Sequence, residues 1–112
     1  MAIELLSPDT QLTIRRTLAF ISTTRYLDGE FETRMGIDRG EVAAVLMRWP
    51  AVDDHADDSP AAVAINNALN EVVNGLALSA DDWHQLGASR AAVEAAYAEW
   101  ATARGWASTG LQ

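Results

Sequence analysis

The run Asp53-Asp54-His55-Ala56-Asp57-Asp58 puts four carboxylates and an imidazole into six residues. These are the donor types that a hard divalent cation takes. Their spacing departs from a calcium loop, which needs oxygens at alternate positions, a central glycine and a distal glutamate. A solvated acidic linker is the favoured expectation, its charge set against the positive N-terminal end of the helix that follows. A second group is Asp81, Asp82 and His84. Three residues apart on a helix, Asp81 and His84 would touch as an acid–base pair, but no nucleophile or oxyanion donor accompanies them. The chain has no cysteine and two histidines. Disulfides, thiolate metal sites and cysteine nucleophiles are thereby excluded, and a histidine metal site would need carboxylate help. No catalytic residue, metal-ligand set or cofactor is assigned, and an enzyme of unknown reaction or a carboxylate–metal protein stands as an alternative.

The stretch "AINNALNEVVNG" poses a different question. Asn67, Asn70 and Asn74 fall on one helix face, nearly opposite Ile65, Leu69, Val72 and Leu76. Asparagine is a poor helix former because its amide competes for backbone hydrogen bonds. Three on one stripe imply either that they satisfy polar groups of a neighbouring helix or loop, or that they form a neutral face for a peptide or protein. With Asp53, Asp54, Asp57 and Asp58 they make up the candidate interaction face.

Helices must position these groups. Twenty-one alanines favour helix, and alternating β-branched stretches are absent. Ser7-Pro8 starts a long helix in which Ile14, Leu18 and Ile21 recur at helical spacing. A short helix over about Glu30 to Met35 stops at Gly36, and Asp38 caps a third with Val42, Val45, Leu46 and Trp49 on its apolar face. After the linker at 51–58, Ser59-Pro60 repeats the start. Ser79 opens a short helix that ends at Gly87, with Asp82 placed for a capping box. Ser89 caps the last helix, carrying Val93, Tyr97 and Trp100 and ending near Gly105. The tail from Trp106 is expected to fray, unless Trp106 docks.

The order long–short–long thus occurs twice, and a shift of 51 residues aligns the halves without a gap. Ile14/Ile65, Leu18/Leu69, Leu27/Leu78, Gly36/Gly87, Arg39/Arg90, Val42/Val93, Ala44/Ala95 and Trp49/Trp100 coincide, eight identities in 45 pairs. These are mostly cap, stop and core positions. The expected fold is a single all-α domain over 1–112, with six helices as two similar three-helix halves (about 8–50 and 59–105). A unit of about 50 residues is marginal alone, so the halves would pack their apolar stripes together around a pseudo-two-fold axis, with Trp49 and Trp100 as matched core anchors. Arg39 and Arg90, near helix starts where the dipole disfavours them, would pair with acids of the adjoining helix.

The segment Arg34–Pro50 resembles the turn and second helix of a helix-turn-helix, which makes a DNA-binding regulator a further alternative. Several features oppose it. Glu32 stands where the motif takes a small buried residue. The reading helix would expose Arg39, Glu41 and Arg48 among alanines, with no Asn or Gln to pair with adenine. The net charge is −8, with six arginines against seven acids before residue 49 and two against nine from there on. Nucleic-acid binders ordinarily carry the opposite sign. No apolar run is long enough for a membrane span, and no targeting signal opens the chain, so a cytoplasmic location is expected. The favoured function is a small non-catalytic protein that acts through protein–protein interaction. Its acidic face would meet a basic partner or a second copy of itself.

Overall fold

In the computed structural model, which describes residues 3–105, each expected cap starts a helix. The Ser7 hydroxyl accepts from the Thr10 N–H, and Pro8 opens α1 (Pro8–Thr23). Asp38 and Glu41 form a capping box at the start of α3 (Arg39–Arg48), after the five-residue α2 (Phe31–Met35). Ser59 caps α4 (Pro60–Asn70), Ser79 and Asp82 form a second capping box on α5 (Ala80–Leu86), and Ser89 caps α6 (Arg90–Ala103). No strand occurs among the described residues. The tail from Trp106, expected to fray or dock, lies outside them.

Gly36 and Gly87 end α2 and α5 in the left-handed region, at φ 77° and 86°, where a Cβ would be strained. Two elements were not foreshadowed by periodicity. A 3₁₀ turn (Ile3–Leu5) precedes α1, and α4 runs on into a π-helical turn (Glu71–Gly75). The wider turn lets Glu71, Val72 and Val73 all face inward. Glu71 is tolerated there because Arg34 of α2 reaches it at 2.5 Å.

Helices α1 and α4 pack against each other at the centre. Around them, α1 is flanked by α3, α5 and α6, and α4 by α2, α3 and α6. The buried stripes are Ile14, Leu18 and Ile21 on α1 and Ile65, Leu69 and Val72 across α4 and its π turn. Met35, Val42, Val93 and Trp100 close the core around them. Each such side chain contributes about 1.5–3 kcal/mol by leaving water. Trp100 is wholly buried, whereas Trp49 is only half-buried against the same core, so the two tryptophans are not equal anchors.

The arginines at helix starts behave differently from expectation. Arg39 donates to the carbonyls of Ile21, Ser22 and Thr24 at the end of α1 and pairs with Asp28 in the following turn. Arg90 donates to Val73 O at the end of α4's continuation, and its carboxylate partner Glu94 is on its own helix. Helix C-terminal carbonyls lack intrahelical donors, and a guanidinium supplies several at once. That gain replaces the acid of an adjoining helix.

A long-range cap ties the start of α1 to α6. The Ser7 N–H donates to Glu99 Oε2 at 2.7 Å and the Thr10 hydroxyl to Oε1 at 2.8 Å. The Ser7 backbone bond, then the Thr10 hydroxyl, hold the Glu99 carboxyl below its ordinary value. A depressed pKa stabilises the fold above the unfolded value of about 4.3 and ceases to do so as pH falls through the folded value. Glu99→Gln should therefore lower the melting temperature at neutral pH. The gap to wild type should close below about pH 4, checked by thermal denaturation across pH.

Candidate functional site

The linker carboxylates separate into two kinds. Asp53 and Asp58 are exposed. Asp54, expected in a solvated run, is fully buried. The cause is Arg104, whose Nη1 donates to the Asp54 carbonyl at 2.6 Å and pairs with its Oδ2 at 3.4 Å, while Nη2 reaches Asp57. The Ile3 N–H also donates to Asp54 Oδ2, at 3.3 Å. Asp54 therefore fastens the linker to Ile3 and to Arg104 beyond α6 and presents no surface, and Asp57 is partly neutralised. Among the described residues no three acidic or histidine side chains are grouped as a metal ion requires.

The asparagines divide in the same way. The Asn67 amide donates to Met35 O at 2.7 Å, closing the C-terminal end of α2. Its oxygen accepts from Asn66, whose own oxygen accepts from the Tyr97 hydroxyl. Burial raises the Tyr97 pKa. Asn74 donates to Asn70 at 3.0 Å on the surface. Asn67 is thus part of the packing, and among the described residues no hydrogen bond joins the asparagines to the linker acids.

His84 and Asp81 are both exposed on α5 without a bond between them, and Asp82 is taken up elsewhere. Its Oδ2 accepts from the Ser79 N–H at 2.9 Å and from the Tyr26 hydroxyl. The Tyr26 bond, then that of Ser79, hold the Asp82 carboxyl low; the same hydrogen bond holds the Tyr26 hydroxyl high. This pair clips the turn after α1 onto the start of α5.

That clip borders a feature the residue types alone did not disclose. Between α1 and α5 runs a groove of about 460 Å³ lined by Phe20, Thr23, Thr24, Arg25, Tyr26, Asp82 and Gln85. It continues through Phe20, Thr23 and Gln85 into a second hollow of about 630 Å³ where Arg15 and Arg16 stand. Arg16 is fixed, donating to Gly87 O at 2.8 Å. Arg15 and Arg25 are exposed and form no ion pair among the described residues. Three cations beside an aromatic ring, two threonine hydroxyls and a glutamine offer donors to anionic oxygen, with the Asp82 carboxylate at the edge taken up by Tyr26 and Ser79. The sequence signal was present as "IRR" and "TTRY", but the separation of 70 positions between Arg16 and Leu86 hid the second wall.

Glu32 is exposed rather than buried, and Arg39, expected on the reading face, is turned onto the end of α1. No helix among the described residues is long and apolar enough to cross a membrane. No family model, curated protein or solved structure matches the chain.

Proposed function

We propose that this is a non-catalytic cytoplasmic interaction protein, and that its groove along α1 and α5 receives an acidic segment of a protein partner. The observation that carries this reading is Arg15, Arg16 and Arg25 gathered on one concave surface of a chain with net charge −8. Arg15 and Arg25 form no ion pair among the described residues, and Arg16 meets a carbonyl oxygen rather than an acid. The sequence favoured an acidic face toward a basic partner, but Asp54 is buried and Asp57 paired, which leaves Asp53 and Asp58 as its exposed remainder. The negative field of the whole molecule opposes any polyanion, and the densely charged backbone of nucleic acid more than a peptide whose few carboxylates meet the groove alone.

A fluorescent glutamate-rich peptide titrated below roughly 50 mM salt should bind measurably and weaken on raising salt to ~200 mM. The double variant Arg15→Ala/Arg25→Ala should weaken it by about tenfold or more with an unchanged melting temperature. Equal binding by the variant would remove the groove from consideration. Duplex DNA binding more tightly than the peptide would favour the regulator reading instead.

We also read the architecture as a tandem duplication around a pseudo-two-fold axis. In support, contacts recur at the 51-residue offset. Arg39 donates to Ser22 O at 2.9 Å, and Arg90 to Val73 O at 2.6 Å. Across the halves, Arg16 closes the end of α5 beside Gly87, while Asn67, its counterpart, closes the end of α2 beside Gly36. Residue i of one half meeting j of the other, and j meeting i, is the signature of a two-fold.

A further inference from the structure

We infer that the outer face of α3 is a self-complementary docking surface that pairs antiparallel with α3 of a second copy. This rests on residues separate from the groove and stands or falls independently of it. Met47 is 88% exposed, the most exposed large apolar side chain in the described structure. It shares its face with Gly40, Ala43 and Ala44, all exposed, while Val42 and Val45 take the opposite, buried side. Glu41 and Arg48 lie seven residues apart, two turns along the same flank, and both are exposed; Glu41 Oε1 accepts from the Asp38 N–H at 3.4 Å in the capping box, which leaves Oε2 for a further donor. Arg48 forms no ion pair among the described residues.

The order of these groups selects the occupant. A two-fold axis through Ala44, perpendicular to the helix, sets Glu41 of one copy beside Arg48 of the other, and Arg48 beside Glu41. The same operation lays each Met47 over the other copy's Gly40, where the absence of a side chain leaves room. Ala43 and Ala44 at the centre let the helix axes approach to about 8 Å. Charge and shape are thus both satisfied by one operation, as an isologous contact requires. The corresponding face of α6 does not offer this. Ala92 and Ala98 stand at the positions of Glu41 and Met47, and Glu99, in place of Arg48, is engaged with Ser7 and Thr10. One helix of ten residues covers less than the standard ~800 Å² per partner, so the dimer is weak and concentration-dependent.

Sedimentation of the full chain should show reversible dimerisation below ~1 mM. Arg48→Glu, at an exposed site, should weaken it at least tenfold while melting as wild type does. Glu41→Arg should weaken it likewise, and an equimolar mixture of the two variants should recover it as a heterodimer, since the mixed pair restores both charge contacts. In this cysteine-free chain, Ala44→Cys should oxidise to a covalent dimer at least tenfold faster than Ala95→Cys on α6. A chain that stays monomeric throughout that range, variants that self-associate like wild type, a mixture that does not recover dimerisation, or equal cross-linking at the two cysteines would each overturn the inference.

Discussion

Replacing Arg104 with alanine should destabilise the protein by about 3–5 kcal/mol, because it leaves a carboxylate stranded in the interior. The Arg104 and Asp54 side chains are 5% and 0% exposed, so water cannot substitute for the lost guanidinium. The carboxylate must then either stay buried beside a single backbone N–H, that of Ile3, or drag residues 51–58 into solvent. The guanidinium also lies 5.0 Å from the centre of the Trp100 ring, so the substitution removes packing as well as charge. The exposed partner sets the contrast. The Asp57 side chain is 70% exposed, and Asp57→Ala should cost no more than about 1 kcal/mol. Urea denaturation measures both, and limited proteolysis at 51–58 should accelerate in the Arg104 variant. A loss below about 1 kcal/mol for Arg104→Ala would mean that the linker is held by something other than this pair.

The two aspartates also show what a one-dimensional pattern holds. Asp54 and Asp57 sit in the same acidic run, and nothing local distinguishes them. Arg104, some fifty residues away, reaches both, but only Asp54 also accepts the Ile3 N–H, so the difference comes from contacts distant in sequence. Helix starts were legible because a cap acts over three residues: Ser7, Asp38, Ser59, Ser79 and Ser89 each bond within their own first turn. Stops at Gly36 and Gly87 were legible for the same reason. The half-register core positions followed from periodicity, and Ile14, Leu18, Ile65 and Leu69 are all buried. The groove, the Glu99 cap and the carbonyl partners of Arg39 and Arg90 were not legible, since each needs two elements whose mutual placement no local spacing encodes. The asparagine stripe lay between these cases. Its oddness was visible, but that Asn67 closes α2 while Asn70 and Asn74 bond each other depended on where α2 comes to rest.

Trp100→Ala should be the most damaging substitution in the apolar core, at about 3–5 kcal/mol. Trp100 is fully buried among the core side chains, so truncation removes its transfer energy and leaves a cavity that the surrounding helices cannot close. Trp49→Ala tests how far the resemblance between the halves extends to energetics. Trp49 is half-buried at the end of α3, with one edge in solvent, so the void it leaves is open to water and the loss should be roughly half or less, scaling with buried area. Denaturant titration followed by far-UV circular dichroism gives both values without relying on tryptophan emission, which the substitutions themselves alter. Equal losses at 49 and 100 would mean that the two positions bear the same share of the core despite their different exposure. Unequal losses in the stated order would mean that the two aligned positions bear different loads, with Trp100 as the anchor. The direction is reasonable on structural grounds, because α6 packs closely on α1 while its last turn also supplies the Arg104 that fastens the linker. Removing Trp100 would therefore loosen the helix that holds Asp54, and the Trp100 and Arg104 substitutions should combine for less than the sum of their separate costs, as expected of residues in contact.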